Sequence, residues 1–210
     1  MLKNATSEAL PRIISIIFHP LLMPAWAYLV LVSFGNPLQH EQESLWVFIY
    51  GLYVLAITFV LPATIFYFML RMKLISALHM PQRAERHLPV LITAVFFYLL
   101  FHLSRTWEID PVFSLYMLGA TMLSLMALLI NYWWKISLHT MGVGAITAGV
   151  ATLALYFSPD YFAILPIVVL VSGLTASARL QLDAHTESEV YAGFLLGFVT
   201  IFTLFGVMMS

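Results

Sequence analysis

The chain has 210 residues, 62% of them apolar and only 9% charged, with a mean hydropathy of +0.95. A soluble domain of that length needs far more polar surface, so the composition excludes one and points to an integral membrane protein. A net charge of −1 offers no basic face to nucleic acid, and the absence of cysteine removes disulfides and thiolate metal sites.

A helix needs about 20 mostly apolar residues to cross a bilayer. By that measure seven segments qualify, at 13–36, 45–70, 88–104, 109–133, 139–157, 161–177 and 190–210, of which the third and sixth are short. The expected fold is therefore all-α, a polytopic transmembrane helix bundle of six to seven spans. With no internal repeat or linker, residues 1–210 read as one membrane-embedded domain. The opening M-L-K-N-A-T-S-E-A-L-P-R lacks the small-residue cleavage site of a signal peptide, so the first apolar run is read as a retained span. Pro20 and Pro24 within it predict a kink or a re-entrant turn. In the fifth segment, G-V-G-A-I-T-A-G from Gly142 to Gly149 suits close helix packing.

The links between segments alternate in charge. Those after segments 1, 3 and 5 carry Glu41, Glu43, Arg105, Glu108, Asp110 and Asp160 and are mostly acidic. The N-terminus and the links after segments 2, 4 and 6 carry Lys3, Arg12, Arg71, Lys73, Arg83, Arg86, Lys135 and Arg179. With seven spans these fall on one side of the membrane, and the positive-inside rule makes that side cytoplasmic. A site for an anion would produce the same bias, because four of the basic residues are candidate ligands. The expected location is a bacterial inner (cytoplasmic) membrane.

Three polar clusters fall on this basic side. The first, His79 to Pro89, holds Arg83 and Arg86, three residues apart, with Glu85 and His87 beside them. It is equally a basic loop anchoring helix ends at the headgroups. The second, Lys135 to Gly142, offers Lys135, Ser137, His139 and Thr140 as donors to an anion, just after the interfacial pair Trp133 and Trp134. The third, S-A-R-L-Q-L-D-A-H-T-E-S-E-V-Y-A-G from Ser177 to Gly193, gathers Arg179, Asp183, His185, Glu187 and Glu189 between two apolar runs. Acidic residues at a helix start complement its dipole, but Arg179 and His185 need another reason to sit beside a bilayer. If a helix starts at Asp183, His185 and Glu189 share a face, and the carboxylate holds one imidazole nitrogen while the other acts as base or nucleophile.

Together the clusters resemble the type-2 phosphatidic acid phosphatase superfamily, membrane-embedded lipid phosphatases with three signature motifs. The third family motif, Ser-Arg, five residues, His, three residues, Asp, corresponds here to Ala178, Arg179, L-Q-L-D-A, His185, T-E-S and Glu189. The second, Pro-Ser-Gly-His, corresponds to Ile136, Ser137, Leu138 and His139. The first, Lys, six residues, Arg-Pro, is approximated by Arg86 and Pro89, with His79 in the lysine position and Arg83 expected to do the lysine's work. The resemblance implies hydrolysis of a phosphomonoester or diphosphate of a lipid, such as phosphatidate, phosphatidylglycerol phosphate, a polyprenyl diphosphate or a lipid A phosphate. It implies His185 as nucleophile oriented by Glu189, and His139 as acid and base. Arg179, Arg83, Arg86, Ser137 and Lys135 would hold the phosphate, with no metal and no cofactor. The expected partners are the lipid substrate and the bilayer. Three alternatives compete: a protein that binds or flips lipid phosphates without turnover, a zinc site of His185, Glu189 and His139, and a haem carrier using His19 and His102.

Overall fold

The computed structural model describes residues 5–33, 44–80, 82–107 and 110–209; Lys3, Glu41, Glu43 and Glu108 of the charged links lie outside them. Among the described residues there are helices and no strands, so the protein is an all-α, multi-pass membrane bundle. Among the described residues six helical stretches are long and apolar enough to cross a membrane: Glu8–Ser33, Leu45–Arg71, Ala84–Thr106, Pro111–Ile130, Leu138–Tyr156 and Glu187–Met208. The expected sixth span is a shorter apolar helix, Leu165–Gln181.

The chain divides into two compact units, residues 24–134 and residues 1–23 with 135–210. Residues 24–134 comprise all but the first residue of α2 (Met23–Ser33), with α3 (Ser44–Leu55), α4 (Leu61–Arg71), α5 (His87–Thr106) and α6 (Pro111–Ile130). Between α3 and α4 the helix widens for one turn, Ala56–Val60. Pro62 follows one residue later; it has no N–H to give, and a widened turn accommodates its ring without ending the helix. Tyr28, Tyr50 and Phe113 pack edge to face at centroid separations of 5.3 to 6.0 Å. The hydroxyls of Tyr50 and Ser104 meet at 2.6 Å, so a polar group in an apolar interior is satisfied across helices. Asp110 caps α6 by accepting from the Phe113 N–H at 2.9 Å.

The other unit holds α1 (Ala5–Ile17), α7 (Leu138–Tyr156), α8 (Leu165–Gln181) and α9 (Glu187–Met209). The expected proline break falls at His19 and Pro20. His19 takes an extended backbone, φ −67° and ψ 141°, and a short turn, Pro20–Leu22, follows. A residue before proline is pushed out of helical geometry, which ends α1 here.

α7 and α9 pack with their backbones in contact. A Cβ on Gly144 would overlap the Phe194 carbonyl, and one on Gly197 would overlap the Met141 carbonyl. The small-residue pattern read along the fifth segment thus acts at Gly144, and Gly197 supplies its counterpart on α9. Thr147 of α7 and Ser172 of α8 add a hydroxyl contact at 3.0 Å. Without a hydrophobic drive between helices in lipid, such close approach and hydrogen bonding are what hold them together. Gly197→Ala is therefore expected to destabilise the protein by about 1–3 kcal/mol, as overpacking does. Gly206→Ala, where a Cβ would meet nothing within 4 Å, is expected to be neutral or stabilising. Thermal unfolding of both variants in detergent checks this contrast.

Candidate functional site

The site is built at the turn between α8 and α9. α8 ends by two backbone bonds, Asp183 N–H to the Leu180 carbonyl at 3.0 Å and Ala184 N–H to the Arg179 carbonyl at 3.1 Å. Asp183 adopts a left-handed conformation, φ 50°. This is the Schellman turn that commonly closes helices, with aspartate in the place usually given to glycine. It leaves Arg179 in the last turn of α8 and reverses the chain into α9.

α9 then opens with a capping box, T-E-S-E. The Thr186 hydroxyl accepts from the Glu189 N–H at 3.4 Å, and the Glu189 carboxylate accepts from the Thr186 N–H at 3.2 Å. Glu189 also holds His185: Nδ1 lies 2.8 Å from the same Oε2. The expected pairing is present, but its geometry differs from the expectation of a shared helical face. His185 precedes the first helical residue, Glu187, so it meets Glu189 because the cap folds the carboxylate back over the helix start. The His185 side chain is 2% exposed. A carboxylate only accepts, so Nδ1 carries the proton, and in the neutral ring Nε2 keeps its lone pair.

The start of α7 is fastened to this turn. The Ser137 N–H bonds the Glu189 backbone carbonyl at 3.3 Å, and Lys135 donates to the Ala184 carbonyl at 2.9 Å. Ser137 is fully buried and is the N-cap of α7, its hydroxyl accepting from the Thr140 N–H at 3.5 Å. Gly193 permits this contact, since a Cβ there would lie 2.6 Å from the Ser137 carbonyl.

His139, one residue into α7, is the hub of the polar cluster. Its Nε2 lies 3.1 Å from the Ser15 carbonyl, and its ring meets His19 edge to face at 5.4 Å. Arg179, His19 and His185 all lie in its electrostatic neighbourhood. Arg179 donates through Nη1 to the Ser15 hydroxyl at 3.1 Å. Ser15 and His19 were not among the residues singled out for phosphate chemistry. The F-H-P triplet, with a serine one turn before the histidine, is the sequence signal that points to them.

Six of the eight expected site residues, Lys135, Ser137, His139, Arg179, His185 and Glu189, therefore belong to one unit. Arg83 and Arg86 belong to the other. Arg83 donates through Nη1 to the Trp133 carbonyl, and the buried Arg86 through Nε to the Met80 carbonyl at 3.0 Å. His79, in the motif's lysine position, is exposed. Among the described residues no group of three or more His, Asp or Glu is arranged to hold a metal ion, so the proposed His185, Glu189 and His139 set is not gathered as a zinc site.

Fold and site together define a multi-pass helical membrane protein with a part-buried cluster of histidines and an arginine. Comparison of the chain with known protein families, with curated proteins and with solved structures finds no match.

The turn geometry assigns Asp183 a backbone role. Asp183→Gly is expected to keep both the fold and any phosphate chemistry. Asp183→Val, forced to a positive φ, is expected to cost about 1–2 kcal/mol. Thermal unfolding of the two variants in detergent distinguishes them.

Proposed function

We propose that the protein is a metal-independent lipid phosphate phosphatase, a divergent relative of the type-2 phosphatidic acid phosphatases. The observation that carries the reading is the buried His185, held through Nδ1 by Glu189. The same unit supplies Arg179, Lys135 and His139, cationic and protonatable groups that suit an anion.

In this reading Arg179 and Lys135 neutralise and position the phosphoryl group, which is most of what phosphoryl transfer asks of a protein. Ser137 is proposed to fix the start of α7 that carries His139. The Nε2 lone pair of His185 attacks phosphorus as the bond from phosphorus to the ester oxygen breaks. His139, protonated on Nδ1, gives that proton to the departing alkoxide and releases the lipid alcohol or the shorter phosphate. Water then attacks the phosphohistidine, its proton passes to His139, and His185 leaves with the electron pair of the P–N bond. Inorganic phosphate is the product, and both imidazoles return to their starting states. Glu189 steadies the imidazolium charge on His185 throughout.

The substrate class is a phosphomonoester or diphosphate on a lipid anchor, reached from the bilayer of the proposed bacterial inner membrane. The test is phosphate release from a panel of lipid phosphates by detergent-purified protein, with EDTA present. Release that resists EDTA and falls by at least about 10³-fold in His185→Ala is expected, in line with loss of a nucleophile. Glu189→Gln is expected to lower kcat by about 10²-fold or more, because an amide both accepts and donates and no longer fixes the imidazole tautomer. Leu138, standing where the family has glycine, favours the second reading, a protein that binds or flips lipid phosphates. Folded protein that binds lipid phosphates and releases nothing would establish that reading instead.

A further inference from the structure

The broken end of α1 supplies one acceptor each to Arg179 and His139. A helix leaves its last carbonyls without partners from within the helix. Here the His19 N–H turns to the Ile16 carbonyl at 3.3 Å, and proline at position 20 has no N–H to offer. The Ser15 carbonyl is therefore open to His139 Nε2 at 3.1 Å, while the Ser15 hydroxyl accepts from Arg179 Nη1 at 3.1 Å. Ser15 itself is buried, 7% exposed.

Hydrogen-bonding capacity fixes each ring. A carbonyl only accepts, so His139 carries a proton on Nε2, and Nδ1 is the nitrogen left to give or take one. His19 Nδ1 accepts from the Leu21 N–H at 3.3 Å, which places the proton of neutral His19 on Nε2. The edge-to-face contact at 5.4 Å then braces the His139 plane.

We infer that Ser15 is a positioning residue of the active site: its hydroxyl orients the Arg179 guanidinium for phosphate and its carbonyl sets the tautomer of His139. The inference rests on the phosphatase reading and adds to it a fourth contributing segment, the F-H-P break, lying outside the three motifs. A hydroxyl is the group a side-chain change can remove while the carbonyl stays. Ser15→Ala thus removes this bond from Arg179 and spares the one to His139. Losing one hydrogen bond to a charged group corresponds to about a tenfold change in an equilibrium, so the expected result is KM raised about tenfold with kcat nearly unchanged. The inhibition constant of inorganic phosphate should rise by the same factor. Ser15→Thr, which keeps the hydroxyl, should restore both. Should Ser15→Ala not fold, Ser15→Cys, nearly isosteric and a weak acceptor, carries the same expectation.

Each outcome decides the matter. A raised KM and phosphate inhibition constant, rescued by threonine, supports the positioning role. An unchanged or lowered KM in Ser15→Ala overturns it, as does an equal fall in kcat in Ser15→Ala and Ser15→Thr, which would mark a purely structural site. If the wild-type protein releases no phosphate from any lipid, the phosphatase reading itself fails, and this role for Ser15 falls with it.

Discussion

One carboxylate oxygen carries much of the site. Glu189 Oε2 accepts from the Thr186 N–H at 3.2 Å and from His185 Nδ1 at 2.8 Å. The first bond is a helix cap, and the second is a constraint on an imidazole. Because the cap needs the carboxylate at the third position of α9, the partner of His185 is fixed by the same bond that lets the helix begin. The carboxylate also sits at the positive end of the α9 dipole, where a negative charge is favoured. A buried charge is costly without partners, and here the partners are built from the turn that positions the histidine.

The neighbouring elements are registered against this turn through backbone groups. α7 is fastened by the Ser137 N–H on the Glu189 carbonyl, and its close packing on α9 depends on Gly144, Gly193 and Gly197. α8 arrives through a Schellman turn that keeps Arg179 one turn from the end. α1 contributes by ending early, at a proline, and exposing a carbonyl to His139. His139 and Lys135 thus find backbone acceptors that exist because a helix stops. In an apolar bundle, helix ends are where backbone acceptors remain open, and that places polar chemistry at them.

Much of this was legible in the sequence. The helical spans follow from the length of apolar runs, and the pairing of His185 with Glu189 follows from their spacing. The geometry of that pair was less legible, because a spacing of four reads the same on a helical face as across a cap. The share of Ser15 was invisible for a different reason. Its two contacts reach residues 124 and 164 positions away, and one of them uses a backbone carbonyl, which no side-chain motif encodes. Ser137 illustrates the converse: a hydroxyl expected to meet phosphate is engaged in capping α7. The two arginines of the first cluster are legible as basic residues beside helix ends, and their described bonds are to carbonyls of nearby turns.

The central claim is that His185, held by Glu189, becomes phosphorylated during turnover. The direct measurement is a rapid acid-free quench of detergent-purified protein mixed with phosphatidate carrying a radioactive phosphoryl group, followed by identification of the labelled residue. The account predicts a protein-bound phosphoryl group on His185, stable in alkali and lost in acid, that forms and decays within turnover and is absent in His185→Gln. Phosphate release that proceeds at the wild-type rate in His185→Gln, with no label on the protein, would contradict it.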